Sequence, residues 1–139
     1  MKYRLVGSEM CIRDRDDFST GSAVAINAFI ESSDFDIGDG QQFMLVSRIL
    51  PDLSFSGSSA TNPATLFTVR GRDFGGDNFT ESPSDSVVRT ATSPVEQYTD
   101  KVDLRARGRQ MSIRIENTAT GVNWRLGATR LDVRPDGRR

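Results

Sequence analysis

The side chains that could carry chemistry in this chain are carboxylates and arginines, because its 139 residues include no histidine and only one cysteine, Cys11. Without histidine, neither a Ser-His-Asp nor a Cys-His nucleophile system can be built. Zinc sites of the usual His/Cys kind are excluded for the same reason. No glycine-rich phosphate loop is present, since no predicted helix follows Gly75-Gly76. We therefore expect no catalytic residue, no cofactor and no enzymatic activity.

Three nearby aspartates form the strongest candidate for a metal site. Asp34, Asp36 and Asp39 lie in SSDFDIGDG and resemble part of a calcium loop. The EF-hand pattern fails, however, because the closing glutamate and the flanking helices are missing. The segment Gly38-Asp39-Gly40 is typical of a turn. We interpret this stretch as a plain turn without a metal.

Arginines are concentrated near the end of the sequence, with nine of them among residues 101–139. One interpretation is a solvated sheet face with cross-strand pairs to Asp103, Glu116 and Asp132. The other interpretation is an interface in a multi-subunit assembly, where arginine guanidinium groups bind carboxylates of a neighbouring subunit. The residues predicted to form such an interface are Arg105, Arg107, Arg114, Arg138 and Arg139. DNA contact is a minor alternative, because no aromatic residues are interleaved with the arginines.

The elements that position these arginines are predicted to be strands. Apolar residues alternate with polar ones from Val102 to Ala106 and again from Met111 to Ile115. Turn residues follow at 116–121, and a second apolar run extends from Val122 to Val133. A period of two places one set of side chains on each face of a strand. The pattern predicts a β-hairpin over residues 101–139 with one apolar face.

The rest of the chain also favours strands over helices. Clusters of Gly, Ser, Pro, Asn and Asp separate apolar runs, and no helical pattern occurs. The predicted strands are 22–30, 41–55, 64–74 and 86–92, with loops at 56–63 and 75–85 and a connection at 93–100. We expect an all-β fold, a jelly-roll-like antiparallel sandwich of five to seven strands, with Phe43, Phe67 and Trp124 in its core. Part of a β-propeller is the alternative, although no fixed repeat supports it.

The first fifteen residues, MKYRLVGSEMCIRDR, require separate treatment. Residues 5–14 can be spelled by a common transposase-type sequencing adapter read in one frame, and Arg4 and Arg15 fit the flanking bases. We therefore interpret residues 1–15 as a translated adapter artefact of shotgun sequencing, expected to be disordered, and exclude them from the fold. The remaining residues, 16–139, are predicted to be a single β-sandwich domain that is the C-terminal fragment of a longer protein. Cys11 then carries no information about the redox compartment.

Charge and length place few further limits on function. Residues 1–15 hold four basic and two acidic residues, so 14 basic and 17 acidic residues remain, a net charge of −3. This balance gives no electrostatic case for nucleic-acid binding. The remaining length suits one domain with one core. No apolar run approaches the ~20 residues that span a bilayer, so we expect no membrane partner.

Several sequence blocks resemble one class of viral protein. The ending RARGRQMSIRIENTATGVNWRLGATRLDVRPDGRR resembles the C-terminus of large virion structural proteins of tailed bacteriophages. The blocks FIESSDFDIGDGQQFMLVSRILPDLSF and VEQYTDKVDLRARGRQ fit the same group in the same order, so the resemblance covers nearly all of residues 28–139. The blocks RGRQM and RPDGRR together carry the resemblance most specifically. The virion structural proteins of this group are similar to tail-hub or nozzle components of short-tailed phages.

The resemblance implies a non-enzymatic virion protein of the phage tail. It implies a β-rich domain at the end of a longer chain, whose partners are other virion subunits. The full-length protein is expected to form a homo-oligomeric ring around the DNA exit channel, with possible passing contact with DNA. The family offers no catalytic residues to transfer. The alternative is a carbohydrate- or receptor-binding β-sandwich, which exposed aromatic residues on one face would indicate.

Overall fold

The part of the chain that the structure describes consists of β-strands joined by turns and loops. The structure is a computed structural model that describes residues 24–76 and 89–138, together with the backbone of residues 2–4 and 10–12. All strand pairings among these residues are antiparallel. The strands are β1 (Lys2–Arg4), β2 (Met10–Ile12), β3 (Ala28–Glu31), β4 (Phe35–Asp36), β5 (Met44–Leu50), β6 (Leu53–Ser54), β7 (Ala64–Arg72), β8 (Thr90–Glu96), β9 (Val102–Gly108), β10 (Gln110–Asn117), β11 (Trp124–Leu126) and β12 (Arg130–Pro135).

The strands form three sheets around one core. The four-stranded sheet has the order β1-β12-β5-β9, and the five-stranded sheet has the order β3-β10-β7-β8 with β4 also paired to β10. A three-stranded sheet has the order β2-β11-β6. Apolar side chains from all three sheets meet in a single buried cluster. The predicted antiparallel all-β sandwich is confirmed, although the described strands outnumber the five to seven expected because long apolar runs such as 41–55 break into two strands.

The alternating pattern correctly predicted which side chains enter the core. Val102 and Ala106 of β9 are buried, and so are Met111, Ile113 and Ile115 of β10. Ser112 is buried as well, at 1% exposure, although its parity predicts the outer face. The three aromatic residues predicted for the core, Phe43, Phe67 and Trp124, are at most 6% exposed.

The predicted hairpin over residues 101–139 is wrong. Only β7 and β8 are both consecutive in the described chain and hydrogen-bonded neighbours. The chain passes from β9 to β10 through Arg109 alone, yet β9 belongs to the four-stranded sheet and β10 to the five-stranded one. β12 pairs with β5 rather than with β9 or β10. Alternation determines which face a residue occupies, but not which strand lies beside it, and this explains the difference.

The boundaries of β8 also differ from the prediction. The strand was expected at 86–92 with a connection from 93 to 100, whereas β8 covers Thr90–Glu96 and includes Pro94. Residues 77–88 lie outside the described residues, so the predicted loop there is described only at Gly75 and Gly76. Pro94 is tolerated because β8 pairs with β7 alone and forms an edge of its sheet.

Two pieces of the segment interpreted as an adapter pair with sheet edges. β1 pairs with Arg130–Asp132 of β12, and β2 pairs with β11. The pairing of these six residues does not test the expected disorder of residues 1–15, which stays a prediction. An open strand edge offers unpaired N–H and C=O groups to any extended segment. Even a segment that is not part of the natural protein could pair there, so the adapter origin also stays a prediction. The part of the chain that the structure describes has no helix able to cross a membrane.

Candidate functional site

The five arginines predicted for an interface do not share one face. Arg105 and Arg107 lie on β9 of the four-stranded sheet, and Arg114 lies on β10 of the five-stranded sheet. Arg138 follows β12 and is exposed, whereas Arg139 lies outside the described residues. The chain changes sheets between Arg107 and Arg114, so the two ends of the arginine run contribute to separate surfaces.

The outward face of the four-stranded sheet is rich in arginine. Strand register places Arg107 and Arg134 on either side of Leu45, and it places Asp103 and Asp132 on either side of Arg48. The arginines that alternate with buried residues on these strands are Arg48, Arg105, Arg107, Arg130 and Arg134. We call this surface, defined by those five arginines, the basic face.

Ion pairs neutralise part of the basic face. Arg48 Nε donates to Asp103 Oδ1 at 2.8 Å. This hydrogen bond raises the pKa of Arg48, and it holds the pKa of Asp103 below its ordinary value. Arg134 lies 3.7 Å from Asp132, with its side chain 70% exposed. Exposed pairs of this kind stabilise a fold only slightly.

One end of the basic face is ordered by a buried phenylalanine. The guanidinium carbons of Arg107 and Arg109 lie 4.0 and 4.8 Å from the centroid of the Phe43 ring. Arg107 also donates to the carboxylate of Asp136, and Arg109 Nη2 donates to the carbonyl of Arg138 at 3.1 Å. Cation–π stacking and hydrogen bonds together restrict the rotamers of these two arginines.

The outward face of the five-stranded sheet carries a paired charge network. Arg114 Nε donates to Glu116 Oε2 at 2.8 Å, and its Nη1 donates to Glu31 Oε2 at 2.9 Å. These hydrogen bonds, the one to Glu116 first, raise the pKa of Arg114. Arg70 Nη1 approaches the other oxygen of Glu31 at 3.4 Å. The guanidinium carbon of Arg114 also lies 4.0 Å from the centroid of the Phe29 ring.

An apolar row runs beside this network. Phe29 of β3 is opposite Glu116 of β10, Glu116 is opposite Leu66 of β7, and Leu66 is opposite Pro94 of β8. Phe29 is 50% exposed and Leu66 is 38% exposed. The row was not predicted from the sequence, because the pairing of β3, β10 and β7 cannot be read from the sequence of any one strand. We call the row and the adjoining network of Glu31, Arg70, Arg114 and Glu116 the mixed face.

The predicted turn at residues 38–40 is confirmed. Gly38, Asp39 and Gly40 all have positive φ angles, of 61°, 58° and 73°, and the Gln41 N–H donates to the Gly38 carbonyl at 3.2 Å. Asp34 forms an ion pair with Arg72. Within residues 24–76 and 89–138, no three His, Cys, Asp or Glu residues are grouped so that they could hold a metal ion.

Two exposed aromatic residues outside the mixed face bear on the receptor-binding alternative. Tyr98, in the turn between β8 and β9, is 87% exposed. Phe74, just after β7, is 61% exposed. Neither residue was singled out from the sequence, where the aromatics that stand out are those at core positions of the alternation.

Comparison with known proteins yields no match, either to a protein-family model or to a curated protein. The phage resemblance therefore rests on the sequence blocks that carry it.

Proposed function

We propose that this chain is a non-enzymatic structural domain of a tailed-phage virion. In this proposal it is the C-terminal β-sandwich of a tail-hub or nozzle component, which assembles through subunit contacts around the DNA exit channel. The RGRQM and RPDGRR blocks support the phage assignment, and the all-β fold is compatible with it.

The observation that best supports a role in assembly is the way the surface arginines are held. Arg114 is fixed by two glutamates and by the Phe29 ring, and Arg107 is fixed by Asp136 and the Phe43 ring. An arginine whose rotamer is already restricted loses less conformational entropy when a partner covers it. Arginine and aromatic residues are also enriched in the cores of protein interfaces. Pre-ordered arginines thus suit a part that binds other subunits.

In this proposal Arg105 and Arg130 of the basic face meet DNA in passing. Arginines contact phosphate oxygens without reading the sequence, and such contacts weaken as the salt concentration rises. Arg105 and Arg130 have no ion-pair partner among the described residues, so their charges are available for this purpose.

The genome around this reading frame provides the test. Long-read sequencing of the source sample would recover the uninterrupted gene. We expect several hundred β-rich residues upstream of residue 16, no adapter sequence, and portal and capsid genes nearby. A neighbourhood of metabolic genes, or a short gene with no upstream extension, would contradict the proposal.

A receptor- or carbohydrate-binding module is the second candidate, and Tyr98 favours it. An aromatic ring that is 87% exposed offers a flat platform for the apolar face of a sugar. Glycan-array screening of the chain, with Tyr98→Ala as the comparison, tests this candidate. Binding that disappears in the variant would support it, whereas no binding to any glycan would favour the structural role.

A further inference from the structure

We propose that the mixed face is a contact surface for a second copy of this chain. The inference rests on the proposed function in one respect, since it identifies a surface through which the virion subunits associate. It differs from the sequence-based prediction, because among the five predicted arginines it selects Arg114 alone.

Covering the mixed face would remove the apolar row from water, and this favours association. Phe29, Leu66 and Pro94 lie in register across β3, β7 and β8 and are all exposed. Apolar surface that leaves water contributes about 25 cal/mol per Å² to association. Glu116 lies within the row, but its carboxylate accepts a hydrogen bond from Arg114 at 2.8 Å, so the row is interrupted by a paired charge.

The charges beside the row are already paired within one subunit. The network has two arginines, Arg70 and Arg114, and two glutamates, Glu31 and Glu116. Removing unpaired charges from water is expensive, whereas charges that keep hydrogen-bonded partners cost less to cover. The side-chain hydroxyls of Thr68 and Thr92 are likewise within 3.1 Å of each other. These four charged side chains and two hydroxyls therefore keep their partners when the face is covered.

Charge balance also indicates a copy of the same chain as the occupant. The mixed face has equal numbers of positive and negative side chains in its network, so two such faces do not repel each other. The basic face has five arginines and only three aspartates beside them, Asp103, Asp132 and Asp136, so it keeps an excess of positive charge. A second basic face would be repelled there. Of the two outward faces, only the mixed face is electrostatically compatible with itself.

The size of the mixed face predicts a weak pair. β10 has eight residues and β7 has nine. Four strands spaced about 4.8 Å apart, with a rise of about 3.4 Å per residue, give a planar face of roughly 500 Å². Standard interfaces bury about 800 Å² per partner. We therefore expect association that depends on protein concentration, and that becomes strong only when other subunit contacts act together with it.

Sedimentation equilibrium of the whole chain with two matched variants tests the proposal. Leu66 on the mixed face is 38% exposed, and Leu50 on the basic face is 39% exposed. We expect dimers at millimolar protein, a dissociation constant raised at least about tenfold by Leu66→Lys, and a change of less than about twofold for Leu50→Lys. Phe29→Ser is a second mixed-face variant in case Leu66→Lys fails to fold, as judged by circular dichroism.

Three outcomes would overturn the proposal. The first is a wild-type chain that remains monomeric up to about 1 mM, the upper limit expected for a weak interface. The second is an equal effect of Leu66→Lys and Leu50→Lys, and the third is a weakening by Leu50→Lys alone. These results are independent of the genome test. A dimer from a non-viral gene would remove only the phage assignment, and a monomer from a virion gene would remove only this contact.

Discussion

Gly71 of β7 and Gly108 of β9 lie backbone to backbone where the four-stranded and five-stranded sheets meet. A Cβ atom on Gly108 would lie 3.0 Å from Gly71 Cα, and a Cβ atom on Gly71 would lie 2.8 Å from the Arg107 carbonyl oxygen. Next to this contact, the Arg109 N–H donates to the Arg72 carbonyl at 2.9 Å. The missing side chains allow β9 to touch one sheet while it pairs within the other.

Alanine at either glycine is therefore expected to destabilise the fold. The atoms in the way belong to the backbone and cannot move aside as a flexible side chain would, so we expect Gly71→Ala and Gly108→Ala each to cost about 1–3 kcal/mol. Urea unfolding followed by tryptophan fluorescence measures the change. Gly76→Ala is the control, because a Cβ atom on Gly76 would have no neighbouring atom within 4 Å. Losses no larger than the control's would show that the sheets do not meet this closely.

Trp124 is expected to be the most costly core side chain to truncate. It is fully buried, and its indole Nε1 has no hydrogen-bond partner among the described residues. Removing the ring leaves a large cavity, so Trp124→Ala should lower the free energy of unfolding by about 3–5 kcal/mol. Trp124→Phe should cost less, because no hydrogen bond to the indole is lost.

Tyr98→Ala is the matched control for this measurement, because Tyr98 is 87% exposed. Unfolding followed by far-UV circular dichroism suits all three variants, since the fluorescent residue is itself replaced in two of them. A near-neutral Trp124→Ala would mean that the ring is on the surface. In that event ligand binding by Trp124 would again need to be considered.

The ion pair between Arg48 and Asp103 should make a small, pH-dependent contribution to stability. The hydrogen bond from Arg48 holds the pKa of Asp103 below its ordinary value of 3.8. Because the pKa is lower in the folded state, the contribution is present above the unfolded-state pKa and disappears as the pH falls through the folded-state pKa. Asp103→Asn should therefore lower the melting temperature slightly near pH 7 and have no effect in strong acid.

Asp100→Asn serves as the control for the pH measurement, since Asp100 is exposed and has no ion-pair partner among the described residues. Thermal unfolding at several pH values compares the two variants with the wild type. A difference between Asp103→Asn and the wild type that grows toward acid would contradict the assigned direction of the pKa shift.

The sequence predicted the local features of this fold better than its long-range ones. Alternation identified the buried faces of β9 and β10, and Gly38-Asp39-Gly40 identified a turn. These properties depend on neighbouring residues. The pairing of β12 with β5 was not predictable in the same way, because it joins residues 130–135 to residues 44–50. Many partners offer a similar apolar face, and packing of the whole core selects among them.

The candidate surfaces show the same limit. The arginines were visible in the sequence, but the change of sheet at Arg109 divided them between two faces. The apolar row depends on Phe29 and Leu66, which both lie opposite Glu116 although the three residues are far apart in sequence. A periodic pattern cannot reveal such a row unless the strand order is already known.

Deleting residues 1–15 tests whether β1 and β2 belong to the natural fold. β1 pairs with only three residues of β12, whereas β5 pairs with six residues on the other side of the same strand. A segment that occupies an open edge by chance adds little to a sandwich whose core is formed by other strands. We therefore expect the shortened chain to unfold at the same temperature as the full chain, within the error of differential scanning calorimetry. A scrambled sequence in place of residues 1–15 should behave in the same way. A large fall in melting temperature for both variants would show that these two strands are part of the fold, and the adapter interpretation would then be wrong.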